Sequence, residues 1–267
     1  MPETPTVVLT IAGFDPSSGA GVTADIKTIA AHGCYGVACI TAMTIQSTAG
    51  VRRVEPCDPE LVSGTLEELA ADVKIGGVHI GMLGSGKVAK AVAEFLSRKK
   101  LPNVVLDPIL SSSSGAVLLD QDGTKILASE LLPLASVITP NVGEAAALRL
   151  HEMGAESVVV TGGHLDKAID LLSFRSRRRV EQEVFKSERQ RSNSTHGTGC
   201  AFATAMACHL ALDRGLPEAV LLAKAYVSAA ISKGHPLGKG IGPVHHLYRM
   251  HQQRRTGTAV PEAEQVH

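Results

Sequence analysis

The chain predicts an α/β fold: a mostly parallel central sheet sandwiched between helices, with an antiparallel hairpin at one edge. Three observations carry this. Short apolar runs recur at residues 7–12, 37–45, 78–83, 103–106, 136–139 and 157–161. Helix-like stretches at 21–32, 59–73, 85–98 and 142–153 lie between them, the alternation expected when crossover helices join parallel strands. Two strand-like segments, 168–174 and 179–185, then follow with no helix between them and read as the hairpin.

In order, residues 7–12 are β-rich and closed by Gly13, and 21–32 repeat apolar residues at helical spacing. The later runs repeat that pairing. From residue 198 the pattern turns helical, through 198–213 and 217–233, and the small apolar residues 201–208 read as a buried helix.

At 267 residues, 44% hydrophobic and 19% charged, the chain suits one domain with a sizeable core, assigned to 1–254. The stretch 255–267 loses apolar periodicity and is expected to be a disordered tail. Lys+Arg and Asp+Glu each number 26, so no bulk charge draws the chain to nucleic acid or a membrane. The basic cluster Arg175, Arg177, Arg178 and Arg179 is followed by Glu181, Glu183 and Glu188, which fits a solvated hairpin. Five cysteines (Cys34, Cys39, Cys57, Cys200 and Cys208), an odd number without Cys-x-x-Cys spacing, argue against a disulfide framework and a zinc site. Reduced thiols and the lack of an export signal or long apolar run predict a cytoplasmic protein.

In open α/β sheets ligands collect beyond the carboxyl ends of the strands, so the residues after each apolar run are candidates for a site. Gly13 opens a glycine-rich loop, 13–21, that lacks both the P-loop ending and the dinucleotide fingerprint. Asp25, about one helical turn beyond, either accepts a hydrogen bond from a ligand or complements the helix dipole. Gln46 presents a donor and an acceptor that match an aminopyrimidine edge, or it satisfies a strand end. Met82 either covers a ring face or packs in the core. Asp107, and Asn141 with Glu144, stand after successive runs and suit a water-coordinated Mg²⁺; the plainer alternatives are a turn cap and first-turn helix charge. At Gly162 a nucleotide can approach the backbone.

Residues 196–200, His-Gly-Thr-Gly-Cys, start the buried helix. Gly197, Thr198 and Gly199 let several N–H groups face one anion, or simply cap the helix. Cys200 sits in the first turn, where the helix dipole favours a thiolate and an incoming triphosphate disfavours it.

Several blocks together resemble one family: Thr-Ile-Ala-Gly (10–13) with Ser-Gly-Ala-Gly (18–21), Ile-Thr-Ala (40–42) then Gln46, Asp107-Pro108, Thr-Pro-Asn (139–141), Gly-Gly-His (162–164) and His-Gly-Thr-Gly-Cys. The chain resembles, over about 7–247, the hydroxymethylpyrimidine/phosphomethylpyrimidine kinases of thiamine synthesis, within the ribokinase-like superfamily. The resemblance implies a three-layer α/β/α sandwich and phosphorylation of 4-amino-5-hydroxymethyl-2-methylpyrimidine and then its monophosphate, with ATP as co-substrate and Mg²⁺ as cofactor. It implies Gln46 and Asp25 as pyrimidine contacts, with Gly13 and Met82 lining the pocket. Asn141 and Glu144 fall near Mg²⁺ and phosphate, and Gly197 to Cys200 fall on the anion hole, with Cys200 as base. A homodimer is expected. Thr161 stands where the family usually has lysine, and Lys167 or Lys233 are candidates to replace that charge. The competing readings are a pyridoxal kinase of the same superfamily, a non-catalytic pyrimidine-binding protein, and a cysteine hydrolase using Cys200 and His196.

Overall fold

The computed structural model describes residues 4–250, except 113, 143–146, 163–167, 177, 178 and 191. Its strands are β1 (Val7–Phe14), β2 (Tyr35–Ser47), β3 (Gly50–Pro56), β4 (Ile75–Ile80), β5 (Val104–Leu106), β6 (Val137–Ile138), β7 (Ser157–Val160), β8 (Ala168–Ser176) and β9 (Arg179–Ser187). The helices are α1 (Gly21–Ala31), α2 (Pro59–Asp72), α3 (Gly86–Lys99), α4 (Gln121–Ile126), α5 (Ala147–Glu152), α6 (Thr198–Ala211) and α7 (Leu216–Ser232). Among the described residues the strands form one sheet in the order β3-β2-β1-β4-β5-β6-β7-β8-β9. From β2 to β7 every pairing is parallel.

Because side chains alternate across a strand, neighbouring positions feed opposite layers. Val8, Val105, Val137 and Val159 pack with Ile29 of α1, Ala203 and Met206 of α6, and Val220 and Tyr226 of α7. Their neighbours Leu9, Val104, Leu106, Ile138 and Val158 pack with Val62 and Leu66 of α2 and Val88, Val92 and Phe95 of α3. The expected three-layer sandwich is therefore present. Helix α6 is buried continuously from Ala201 to His209, as a helix with small apolar residues on every side must be. It sits directly on β4: a Cβ added at Gly77 would stand 2.9 Å from the Ala207 carbonyl oxygen.

The hairpin of β8 and β9 closes one edge as expected. The other edge is antiparallel too, which the periodicity did not predict. There β3 pairs with the far half of β2, from Ala42↔Pro56 to Ser47↔Gly50. Strand β2 runs beyond Met43, its last partner across from β1, so its end belongs to a two-stranded ribbon. Gln46 thus lies inside that ribbon rather than just past a strand end. The segment 121–134 was also missed as helical: α4 continues through a π turn (Leu127–Leu131) and a 3-10 turn (Leu132–Leu134), interrupted in sequence by Gly123 and Pro133. Of the helix expected over 142–153, the described part is α5.

Candidate active site

A cleft of about 1190 Å³ opens beyond the carboxyl ends of the parallel strands. Gly13 and Asp15 reach it from the end of β1, Met82 from β4, Asp107 from β5, Thr139 and Asn141 from β6, and Thr161 from β7. The start of α6 and the ribbon residues Thr44 and Gln46 line it as well.

One end of the cleft is built for an anion. Gly197 caps α6 with φ of 82°, the left-handed region, and a Cβ there would stand 1.8 Å from the Gly19 carbonyl oxygen. Only glycine lets the two loops meet this closely. The first N–H to bond back within the helix is that of Ala201, to Gly197 O at 2.9 Å. The N–H groups of Gly199 and Cys200 belong to the first turn, where the intrahelical ladder has no acceptor for them. Beside them lies Asp107: its Oδ2 is 3.6 Å from where a Gly199 Cβ would be, and its Oδ1 accepts from Thr139 Oγ1 at 3.3 Å. Cys200 lines the same end. Its thiol is pushed well above the ordinary range, first by burial and then by the carboxylates of Asp107 and Asp25; a hydrogen bond from the Gly21 N–H opposes this only in part. The dipole's pull toward thiolate is therefore outweighed.

The other end is built around an amide. Gln46 accepts at Oε1 from Thr44 Oγ1 at 3.2 Å, and its Nε2 lies 3.3 Å from His196 Nε2. His196 Nε2 is also 2.8 Å from Asp15 Oδ2. Asp15 accepts from the Ser17 N–H and hydroxyl and from the Ala20 N–H, at 2.7–2.9 Å. Burial alone would raise the pKa of Asp15, but the bonds from His196 and Ser17 hold it below the ordinary value. Gly13 and Met82 touch here: a Cβ at Gly13 would be 3.0 Å from Met82 Sδ. His196 is committed to Asp15, and no hydrogen bond joins it to Cys200 among the described residues, so the pairing a cysteine hydrolase requires is missing.

Two expected site residues lie elsewhere. Asp25 is fully buried and outside the cleft lining; it accepts from Thr10 Oγ1 at 2.6 Å and Thr204 Oγ1 at 2.8 Å and lies 3.1 Å from His79 Nδ1. It is an internal cross-link between α1, β1, β4 and α6 rather than a ligand contact. Gly162 is buried with its N–H donated to Asp170 Oδ1 at 3.0 Å, so that donor is already used within the protein. Glu144 and Lys167 fall outside the described residues. Lys233 is placed over the Tyr248 ring, 5.0 Å from its centroid, and not in the cleft.

Sequence reading missed the buried pair of Lys224 and Asp170, 2.7 Å apart, which also lines the cleft. A signal existed: each is a charge inside an otherwise apolar stretch, Lys224 in 219–230 and Asp170 in 168–172. The Asp15–His196 pair was missed because its members are 181 positions apart.

Comparison with known proteins agrees with this geometry. The family model described as phosphomethylpyrimidine kinase matches residues 15–245. A hydroxymethylpyrimidine/phosphomethylpyrimidine kinase of Salmonella typhimurium is 42% identical over 261 residues, covering 90% of this chain and 97% of the relative. A crystal structure of a Bacillus subtilis pyridoxal kinase in complex with ADP superposes with a TM-score of 0.83 at 31% identity, over 92% of this chain and 100% of that one. A Clostridium difficile phosphomethylpyrimidine kinase superposes with a TM-score of 0.74 at 34% identity, over 85% of this chain and 99% of that one. With its three-layer ribokinase-like fold and a cleft that pairs an anion cradle with an amide end, the chain belongs to the phosphomethylpyrimidine kinase family.

Proposed function

We propose that this protein transfers the γ-phosphoryl group of ATP to 4-amino-5-hydroxymethyl-2-methylpyrimidine, and then to its monophosphate, in the pyrimidine branch of thiamine synthesis. The observation that carries this is the single cleft with Gln46, Met82 and Gly13 at one end and the start of α6 beside Asp107 at the other. A pyrimidine held by the amide directs its hydroxymethyl group at the cradle. Its oxygen bonds to the γ-phosphorus as the bond to the β–γ bridging oxygen breaks, and ADP leaves with that electron pair. Such transfers depend mainly on positioning and charge stabilisation, which the N–H groups of Gly199 and Cys200 supply. The hydroxyl proton passes to the thiolate fraction of Cys200, a smaller contribution because the thiol is held protonated.

Mg²⁺ usually binds through one or two carboxylates plus substrate phosphates and waters, and Asp107 at the phosphate end fits that habit. Bound there, the ion neutralises charge on the triphosphate. Among the described residues that line the cleft, Lys224 and Arg189 carry positive charge and are candidates to serve in place of the family lysine that Thr161 replaces. The free state of all five cysteines supports a reducing, cytoplasmic setting. The ribbon side exposes Tyr35, Ile40, Met43 and Ile45, which supports a homodimer formed at that edge.

Pyridoxal kinase is the second reading, favoured by the close superposition on the Bacillus subtilis enzyme. Steady-state ADP release with the aminopyrimidine, its monophosphate and pyridoxal decides between them. The aminopyrimidine is expected to have the highest kcat/KM, with EDTA abolishing turnover. In Gln46→Ala its KM should rise about tenfold or more, the worth of one bidentate amide contact. A higher kcat/KM for pyridoxal overturns the assignment.

A further inference from the structure

We infer that Thr204 and Asp25 are positioning residues for phosphoryl transfer: their buried hydrogen bond sets the register of α6 along α1, and so places the first turn of α6 and the Cys200 thiol for the reaction. The consequence for rate rests on the kinase reading above; the tie between the helices does not.

The inner face of α6 offers little else that is directional. From Ala201 to Cys208 its side chains are four alanines, Phe202, Met206, Cys208 and Thr204. Apolar burial holds such a helix down without favouring one register sharply over its neighbours. Thr204 is fully buried and supplies the directional bond, donating from Oγ1 to Asp25 Oδ1 at 2.8 Å. Asp25 is anchored to the sheet in turn, through Thr10 of β1 at 2.6 Å and His79 Nδ1 of β4 at 3.1 Å. The same His79 nitrogen lies 3.1 Å from Thr204 Oγ1, so α1, α6 and β4 meet at one point. Burying a carboxylate is costly, and an apolar pair would join two helices at least as firmly. What the carboxylate adds is a fixed place.

That place is coupled to the chemistry by its spacing. Asp25 is four residues beyond Gly21 on α1, and Thr204 is four beyond Cys200 on α6. Each pair therefore shares one face of its helix, about 6 Å apart along the axis. In front of the Asp25–Thr204 bond, the Gly21 N–H donates to Cys200 Sγ. Further forward, Gly19 O and Gly197 make the contact that admits no Cβ. The contacts of Gly19 with Gly197, Gly21 with Cys200 and Asp25 with Thr204 fall in the same order along both segments. The rear one, hydroxyl to carboxylate, is the strong member of the series; the middle one is a weak bond to sulfur, and the front one is van der Waals contact. Without the rear bond α6 can slide or turn against α1, and a rigid helix carries that shift directly to Gly199 and Cys200.

The test is steady-state ADP release by the parent, Thr204→Val, Thr204→Ser and Thr10→Val. Each valine removes one hydroxyl donor from the same buried carboxylate, but only Thr204 reaches α6. Thr204→Val should lower kcat about tenfold or more, toward the roughly 10²-fold cost of a 1 Å misplacement, while the pyrimidine KM holds because Gln46 and Met82 stand on other elements. Thr204→Ser should recover most of the loss, and Thr10→Val should keep kcat within about threefold of the parent. Equal losses in the two valine variants, or none in Thr204→Val, overturn the inference. Thr204→Ala beside Thr10→Ala gives the same comparison if a valine variant does not fold. Hydrogen exchange at the Gly21 amide reads the tie without turnover: its protection should fall in Thr204→Val and persist in Thr10→Val, and equal protection in the parent and Thr204→Val overturns the tie. If the parent releases no ADP with the pyrimidine, the kinase reading fails while the exchange still judges the tie.

Discussion

Replacing Gly197 by alanine tests whether the cradle's geometry performs the catalysis. The new Cβ would stand 1.8 Å from Gly19 O, about 1.6 Å short of ordinary contact, so one of the two loops must move by more than an ångström. The left-handed φ adds about 1–2 kcal/mol of its own. The Gly19 carbonyl also lies 3.2 Å from His246 Nε2, so moving it disturbs a buried contact. Together these imply a stability loss of about 2–4 kcal/mol, or a Tm lower by roughly 5–15 °C for a domain of this size. The catalytic effect should be larger in proportion, because a 1 Å misplacement of a positioning group costs about 10²-fold in rate. ADP release at saturating pyrimidine, below the lowered Tm, measures it. Gly215→Ala is the control: that glycine precedes α7 with φ of −63° and open space around it. If Gly197→Ala keeps kcat within about threefold of the parent, the α6 cradle is not what stabilises the transferring phosphoryl group.

Three further outcomes are expected. Cys200→Ala should slow turnover without weakening pyrimidine binding, and because burial and Asp107 hold the thiol above its ordinary pKa, the parent's kcat should climb through the alkaline range while the variant's profile flattens. Lys224→Met leaves Asp170 buried without its cation and should cost about 3–5 kcal/mol in urea unfolding; adding Asp170→Asn, which still accepts the Gly162 N–H, should recover part of it. His246, 3% exposed, has its pKa pushed down to about 4 by burial, so the unfolded chain binds the extra proton between that value and 6.5. Its contribution is intact above pH 6.5 and falls by up to about 3 kcal/mol on acidification through that window, so the urea midpoint should drop from pH 7 to pH 5, and less so in His246→Gln.

How much the sequence disclosed follows from the range of each interaction. The parallel strands were legible because burial on both faces makes them continuous apolar runs, and the cleft lining at Gly13, Met82, Asp107 and Asn141 followed from their places after those runs. Strand β3 was not legible: Arg52 and Arg53 are exposed on an edge, where nothing requires apolar alternation. Asp25 misled because its position one turn into α1 is equally suited to a ligand or to the buried hydroxyls of Thr10 and Thr204, and only packing distinguishes them. Gly162 misled for a related reason, since the acceptor that takes its N–H comes from a strand eight residues on. The contacts of His196 with Asp15 and Gln46 join three segments and have no local signature at all.

Helix α6 carries its consequence at the end remote from the chemistry. Gly197 sets how near its first turn comes to the loop after β1, and Gly77 sets how deeply its other end settles on the sheet, where the strand passes against Ala207. About 12 Å of rigid axis separates Gly199 from Ala207. A rod fixed at two points aims its tip by the height of its base, and here both heights are set by the absence of a methyl group. The aim of the phosphate cradle is thus partly decided by a glycine on the sheet, well away from any atom that reacts.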